Sequence, residues 1–384
     1  MTLNLDQLMA RASSDCGGLT DFGDPCFLEP ARVLIQAFSD QGGLSQRGVA
    51  IWEKRFRDVL KNRLVVEQFY RRYPEIEDET ISAPIIIVGL PRTGTTLLQR
   101  ALGCDERFYP MLAWESRFPA PIVEPGAPGP DPRIDIAVRM TNAMIEANPD
   151  LLAIHPLSAT EPDEEGVLLE HSFQSFFDSY ADIPDYTAWM WENDQTPAYE
   201  YLKRLLQFIQ WQKRQRGEVA DHWVLKTPHH LRQMQTLLQV FPDARIIQTH
   251  RDPLKTIPSI ASFAFNMWKL GMQDPDPKRA GQQWSAIWAR AMKETLQTRG
   301  RVGELRFHDI QFSDTLSRPL DVLEGIYRFL RIEFPADTQQ RMEVYLEANR
   351  REKRPMHEYS LDVYGLSDAQ IKRDFAEYRA RFVL

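Results

Sequence analysis

A glycine-bounded loop is the first feature of the chain that could do chemistry. The stretch PIIIVGLPRTGTTLLQRAL, residues 84–102, places four residues between Gly89 and Gly94 and continues with Thr95 and Thr96. This spacing fits the phosphate-binding pattern GxxxxGK[ST], except that Thr95 stands where the lysine is expected. Backbone N–H groups at such a helix start bind phosphate or sulfate, because they have no partner within the helix and carry its positive dipole end. The loop therefore predicts an anion site.

Arg92 is the cation that this loop does carry. Its planar guanidinium suits a tetrahedral oxyanion, and the two threonines add hydroxyl donors. The residues expected to bind the anion here are Pro91, Arg92, Thr93, Gly94, Thr95 and Thr96. No metal site is expected, since the chain has no HExxH, clustered-cysteine or EF-hand pattern.

Arg251 and Ser259 form a second candidate anion site. Arg251 follows the apolar run ARIIQTH, so it is expected at the carboxyl edge of a sheet, where open α/β sheets bind ligands. Ser259 lies about two helical turns later, and both side chains could share one phosphate. The competing interpretation is a surface ion pair between Arg251 and Asp252 at a helix start.

These stretches resemble the sulfotransferases, which move a sulfuryl group from 3′-phosphoadenosine 5′-phosphosulfate (PAPS) to an acceptor. VGLPRTGTTLL resembles the family's 5′-phosphosulfate loop, and IIQTHRDPLKTIPSIASF is similar to its 3′-phosphate segment, where an arginine precedes a serine by eight positions. WVLKTPHH provides a third match, and the resemblance makes Lys226 catalytic at the sulfuryl group. The resemblance spans residues 81–380 and implies PAPS as co-substrate with a hydroxyl or amine as acceptor.

The general base stays open among three residues. The family's cytosolic members have a histidine two positions after the lysine, but Pro228 stands there in this chain. Glu115 is favoured because the resemblance places a catalytic glutamate at a similar distance after the first helix in other branches. His229 and His155 are the alternatives.

The elements that must position these residues predict an α/β fold: a P-loop-like three-layer sandwich with a central parallel sheet flanked by helices. Four apolar runs each precede a helical segment: PIIIVGL before 95–102, HWVLK before 229–240, ARIIQTH before 254–264 and GELRF before 318–330. Residues 1–80 are expected to form an N-terminal helical cap and residues 81–384 the α/β domain. A proline- and glycine-rich stretch opens a helical insertion, 117–216, on the acceptor side.

Composition limits the partners. The chain has 384 residues, with 46 basic against 54 acidic side chains and a net charge of −8, so no attraction to nucleic acid is expected. Three cysteines without a CxxC pair favour a reducing compartment, for which the cytoplasm is the simplest choice. No apolar stretch is long enough for a membrane span. Monomer and homodimer both stay open.

The acceptor is expected to be a largely apolar small molecule. The aromatic residues that could line its cleft, or equally form core, are Phe173, Phe176, Phe177, Tyr180, Tyr186, Trp189, Trp191, Phe263, Phe265 and Trp268. The basic residues 350–354 either close over the nucleotide or form a solvated charge run.

Two other functions compete with sulfuryl transfer. A P-loop kinase or nucleoside triphosphatase with a degenerate loop would need the missing lysine and a magnesium-binding aspartate after a second strand. A nucleotide-binding protein without catalysis would need neither Arg92 nor Lys226, and both are present.

Overall fold

The structure is a computed structural model that describes residues 3–149, 157–349 and 360–383. His155 and the basic residues 350–354 lie outside the described residues. In chain order, the strands are β1 (Ile85–Gly89), β2 (Phe108–Pro110), β3 (His222–Lys226), β4 (Arg245–His250) and β5 (Phe307–Gln311).

The α-helices of the described part follow the chain from the N-terminal region to the last turn. They are α1 (Leu5–Asp15), α2 (Leu28–Asp40), α3 (Gln46–Arg72), α4 (Thr95–Leu102), α5 (Ala113–Arg117), α6 (Pro132–Ala147), α7 (Pro184–Glu192), α8 (Thr196–Gln215), α9 (Met234–Val240), α10 (Pro253–Trp268), α11 (Pro277–Val302), α12 (Phe312–Ser317), α13 (Pro319–Leu330), α14 (Ala336–Ala348), α15 (Asp368–Asp374) and α16 (Ala376–Phe382). Short 3₁₀ segments include Glu165–Ser172 and Pro228–Arg232.

The five strands form one parallel sheet in the order β2-β3-β1-β4-β5. From β1 the chain goes to the edge strand β2, returns to β3 beside β1, and then crosses past β1 to β4 and β5 on the other side. Such a reversal opens a crevice at the carboxyl ends of the central strands, where ligands of α/β sheets bind. The loop after β1 and the residue after β4 both lie at this edge.

Helices cover both faces of the sheet, which confirms the predicted three-layer architecture. Strand side chains alternate between faces. In β1, Ile85 and Ile87 pack with residues of α4, α13 and α14, whereas Ile86 and Val88 belong to a larger core with α8, α9, α10 and α11. All five residues of β1 are buried, as expected for the centre of a parallel sheet.

The N-terminal helices pack against the insertion. The ring centroids of Phe56 and Phe173 lie 5.6 Å apart, and those of Trp52 and Phe177 lie 5.9 Å apart, within one apolar core. Helix α3 continues past this core and also packs on the helices that cover the sheet. The N-terminal region thus supports the insertion, while the predicted domain boundaries stay predictions.

Three details differ from the sequence prediction. Strand β2 was not predicted, because three residues at a sheet edge give no measurable periodicity. The predicted strand GELRF is wrong in register: residues Glu304–Arg306 form a 3₁₀ turn with Leu305 exposed, and β5 begins at Phe307, which pairs with Ile246. The segment after β3 starts as a 3₁₀ turn before α9.

No helix in the described residues combines the length and apolar character that crossing a membrane requires.

Candidate functional site

The loop between β1 and α4 is held in a backbone conformation suited to anion binding. Arg92 has φ +73°, an uncommon value for a residue with a side chain, and Gly94 has φ +86° where α4 begins. A Cβ on Gly94 would also lie 3.2 Å from the ring of Phe312. Helix α4 therefore begins directly after a tightly turned loop.

Thr93 fixes this loop to the sheet through its side chain. Its hydroxyl donates to the carbonyl of Leu90 at 2.6 Å and lies 2.6 Å from the hydroxyl of Thr249 on β4. A Cβ on Gly89 would lie only 2.2 Å from that Thr249 oxygen, so this position has no room for a side chain. Because the Thr93 hydroxyl is fully buried, only the backbone of this residue is left for the predicted anion contact.

Arg251 and Ser259 line the same cavity as the loop, together with Pro91, Arg92, Gly94, Thr95 and Thr96. Nη1 of Arg251 donates to the carbonyl of Arg92 at 2.9 Å, so the two predicted anion sites are directly connected. The Arg251 guanidinium also lies 4.4 Å from the ring centroid of Phe312. The Ser259 hydroxyl is buried and has no hydrogen-bond partner among the described residues.

Helix α16 contacts this second site, and the sequence did not predict that contact. Asp252 caps α10 by accepting from the Leu254 N–H at 3.1 Å, and Arg379 binds both oxygens of the same carboxylate at 3.0 and 3.1 Å. Asp252 therefore pairs with Arg379 of the C-terminal region. The hydroxyl of Tyr378 accepts from the Arg251 N–H at 3.4 Å.

Lys226, at the end of β3, is buried and bound to two carboxylates. Its Nζ lies 2.9 Å from Oε1 of Glu164 and 3.5 Å from Oδ1 of Asp163. Burial by itself lowers the pKa of Lys226, but Glu164 and then Asp163 outweigh it, so the pKa is raised above its ordinary value. The side chain is a protonated cation that does not itself line the cavity.

The acidic run Asp163, Glu164, Glu165 is the part of the site that sequence reasoning missed. Asp163 and Glu164 line the cavity, and Glu164 also accepts from the Thr227 hydroxyl at 2.9 Å. Glu165 points to the other side, where Oε1 lies 2.7 Å from Nε2 of His230 and Oε2 accepts from the Lys226 N–H at 2.6 Å. The run was visible in the sequence only as acidic composition.

Within the described residues, no group of three or more histidine, cysteine or acidic side chains is arranged to hold a metal ion.

Glu115 is placed away from the cavity, which argues against its predicted role as base. Its carboxylate lies 2.8 Å from Nζ of Lys213 and 2.7 Å from Nη2 of Arg216, and the side chain is 2% exposed. Lys213 lies in the last turn of α8, and Arg216 is the residue that caps its C-terminus. The adjoining residues Ser116 and Arg117 do line the cavity, so α5 borders it, and the role of Glu115 as base stays a prediction.

His229 lines the cavity as a buried imidazole. Neither ring nitrogen has a hydrogen-bond partner among the described residues. Burial, followed by the nearby charges of Arg232 and His230, holds the pKa of His229 well below its ordinary value. The ring is therefore neutral at physiological pH, so one ring nitrogen keeps an unprotonated lone pair.

The cavity that these residues share has a volume of about 1370 Å³. A drug-sized ligand typically occupies a pocket of roughly 300–1,000 Å³, so this one has room for more than one small ligand. One part is polar and includes the loop, Arg251 and Glu164. Another part is apolar and aromatic, and it includes the predicted acceptor-side residues Phe176, Tyr180 and Phe263, whereas Phe173, Phe177 and Tyr186 are buried in the core with the N-terminal helices.

Comparison with known proteins gives a consistent result. The Sulfotransferase family matches residues 84–336. Omega-hydroxy-beta-dihydromenaquinone-9 sulfotransferase Stf3, from Mycobacterium bovis and from Mycobacterium tuberculosis, is 28% identical over 262 residues, or 66% of this chain and 64% of the relative. The chain thus spans less than two thirds of the length of these curated relatives.

Two solved structures match nearly the whole chain. Sulfotransferase STF1 from Mycobacterium tuberculosis has a TM-score of 0.84 at 28% identity, covering 98% of this chain and 99% of the other. Sulfotransferase STF9 from Mycobacterium avium has a TM-score of 0.88 at 26% identity, covering 99% and 96%. These matches confirm the resemblance and the fold class that the sequence predicted.

Proposed function

Because the chain belongs to the sulfotransferase family, we propose that it transfers the sulfuryl group of PAPS to a hydroxyl or amine of a largely apolar small molecule. The observation that carries the proposal is the hydrogen bond from Arg251 to the carbonyl of Arg92. It joins the loop suited to a 5′-phosphosulfate to the arginine suited to a 3′-phosphate. One nucleotide with phosphates at both positions fits this arrangement.

Different residues in the polar part of the cavity would bind the two ends of this nucleotide. The N–H groups at the start of α4 and the Arg92 guanidinium would hold the phosphosulfate, since both offer donors to oxyanions. Arg251 and Ser259 would hold the 3′-phosphate, and the buried Ser259 hydroxyl, which has no partner among the described residues, would gain an acceptor there. PAPS supplies the activated sulfuryl group, and the proposal needs no metal.

In the proposed transfer, the acceptor oxygen forms a bond to sulfur as the bond between sulfur and the bridging phosphate oxygen breaks. Adenosine 3′,5′-bisphosphate leaves, and the hydroxyl proton passes to a base on the protein. Arg92 would offset the charge that develops on the leaving phosphate, as positioned cations do in phosphoryl transfer. This description requires a base that faces the cavity.

Glu164 is the base that we propose, with His229 as the alternative. Glu164 lines the cavity and is held by Lys226 and the Thr227 hydroxyl. Lys226 would then act as a positioning residue behind Glu164, because its Nζ contacts the carboxylates and does not line the cavity. This assignment replaces Glu115 and gives Lys226 a less direct role than the resemblance implied. His155 lies outside the described residues and is not used.

The acceptor and the location of the enzyme are also proposals. The curated relatives are named for an omega-hydroxylated dihydromenaquinone, and the apolar part of the cavity supports a hydroxyl on an apolar body here. The charge of −8 and the sparse cysteines support a cytoplasmic enzyme that does not bind nucleic acid.

Calorimetric titration of the metal-free protein with adenosine 3′,5′-bisphosphate tests the proposal. The bisphosphate is expected to bind more tightly than adenosine 5′-monophosphate. Arg251→Ala should weaken its binding by about 1.5–3 kcal/mol, because a charge-assisted hydrogen bond is lost. The matched control is Arg245→Ala, at the opposite end of the same strand, which should leave the affinity unchanged.

Three results would contradict the proposal. Equal binding of the bisphosphate and the monophosphate would remove the 3′-phosphate site. Unchanged affinity in Arg251→Ala would remove the role of that residue. Tighter binding of ATP with magnesium than of the bisphosphate would favour the P-loop kinase or nucleoside triphosphatase instead.

A further inference from the structure

Two helices present matching apolar stripes to the cavity. In each helix the lining residues recur with the spacing i, i+3, i+4, i+7, which places them on one helical face. The stripe of α6 is Ala137, Met140, Thr141 and Met144, and the stripe of α10 is Ile260, Phe263, Ala264 and Met267. Together they form what we call the apolar arm of the cavity.

The apolar arm continues directly from the proposed nucleotide site. On α10 the stripe begins at Ile260, the residue after Ser259, and runs away from the sheet edge along the helix. Helix α6 is fixed in its first turn by Arg133, whose Nη1 donates to the carbonyls of Phe118 and Pro119 at 2.9 and 3.0 Å. At its other end, Nδ2 of Asn148 donates to the carbonyl of Asn266 on α10 at 3.4 Å. The two helices are thus joined at one end and line the cavity along their length.

The stripe side chains are poorly suited to a polar acceptor. Thr141 is the one stripe residue with a polar side-chain group, so a sugar placed there would bury several hydroxyls without partners, which is costly. Methionine side chains are flexible and adapt to irregular apolar ligands. Met140 and Met144 are only half-buried, whereas apolar side chains in a packed helix interface are normally fully covered.

We infer that the apolar arm binds the acceptor, and that this acceptor is a linear alkyl or prenyl alcohol whose hydroxyl reaches Glu164. The inference rests on the proposed function and adds the shape of the substrate to it. From Ala137 to Met144 the α6 stripe is about 10 Å long at 1.5 Å per residue. The arm therefore covers an extended chain segment of that length. In longer chains the additional carbons lie beyond the arm and add little binding energy.

The experiment measures sulfuryl transfer from PAPS to primary alkan-1-ols of increasing chain length. Each buried methylene is expected to raise kcat/KM about fourfold until the chain outgrows the arm, after which the values level off. In Met140→Lys this dependence on chain length should be largely lost, because a charged lysine side chain in the arm opposes burial of an alkyl chain there. Met140 is only partly buried, so the substitution is expected to leave the fold intact.

Val138→Lys is the matched control, since Val138 lies on the same helix, is 37% exposed and does not line the cavity. It should keep the wild-type chain-length dependence, and both variants should bind adenosine 3′,5′-bisphosphate normally. If transfer occurs but kcat/KM does not vary with chain length, or if Met140→Lys behaves like Val138→Lys, the inference is overturned while the proposed function stands. Normal bisphosphate binding with no transfer to any alkanol would overturn the inference alone. A protein that neither binds the bisphosphate nor transfers a sulfuryl group would overturn both.

Discussion

Two glutamates in this chain show how position decides the role of a residue. Glu115 lies 2.8 Å from Lys213, and Glu164 lies 2.9 Å from Lys226. The side chain of Glu115 is 2% exposed and enclosed by a second cation, whereas that of Glu164 is 24% exposed and faces the cavity. The two ion pairs are alike in distance, but only the Glu164 carboxylate lines the cavity, which is why we propose Glu164 and not Glu115 as the base.

Glu164→Gln is expected to lower kcat by about 10²- to 10⁴-fold, because an amide cannot act as general base. Bisphosphate affinity should change little, since Glu164 is assigned to the acceptor. The measurement is steady-state transfer from PAPS to the best alkanol, with Glu161→Gln as a control outside the cavity wall. Full activity in Glu164→Gln would move the base to His229.

At the scale of elements, local motifs were predictable and tertiary contacts were not. The β1 loop and the start of α10 could be predicted because Gly94, Arg251 and Ser259 all lie within nine residues of a strand end in the sequence. The acidic run at 163–165 could not be assigned a role, since it lies in the insertion and reaches β3 only in the folded chain. The same holds for Arg379, which contacts a residue 127 positions earlier.

Glu115→Gln tests whether that residue holds two helices together instead of taking a proton. Its carboxylate joins α5 to the end of α8, and Lys213 is fully buried. Removing one partner of a buried ion pair typically costs roughly 3–5 kcal/mol, and the low end is expected because Glu218 stays 3.3 Å from Lys213. Urea unfolding measures the loss.

The matched control for this variant is Glu218→Gln. Glu218 pairs with the same two cations from an exposed position, so its substitution should lower the free energy of unfolding by less than about 1 kcal/mol. At temperatures where Glu115→Gln stays folded, its kcat should be close to wild type. A kcat reduced as far as in Glu164→Gln, without loss of stability, would restore Glu115 as the base.

At the scale of the whole molecule, the N-terminal helices act on the cavity through the insertion. None of the residues that line the cavity in the described part of the chain precedes Pro91. Arg55 on α3 instead forms a buried ion pair with Glu170, and Arg117, which does line the cavity, lies 3.6 Å from the same carboxylate. The N-terminal helices therefore contact the cavity wall at Arg117 through Glu170 of the insertion.

Buried histidines make the stability of the whole chain sensitive to acid. His171 and His229 both have a pKa held well below the ordinary value, chiefly by burial and then by nearby arginines. The unfolded chain takes up these protons near pH 6.5 but the folded chain does not, so the free energy of unfolding falls as pH decreases below about 6.5. Each imidazole contributes a loss of about 1 kcal/mol between pH 6.5 and 5.5 by this linkage.

Burial also lowers the pKa of His250 and His308, so urea unfolding at pH 7.5, 6.5 and 5.5 is expected to give similar stability at the first two values and at least about 2 kcal/mol less at the third. His229→Gln should reduce this decrease by about 1 kcal/mol, because its imidazole no longer titrates in the unfolded chain. Burial raises the pKa of Asp309, but Arg299 and His250 outweigh it and hold the pKa below its ordinary value. Protonation of Asp309 therefore lowers the free energy of unfolding as well, but only at lower pH. Stability that rises on going from pH 6.5 to 5.5 would mean that these imidazoles are protonated in the folded protein, and it would remove the neutral His229 from the alternatives for the base.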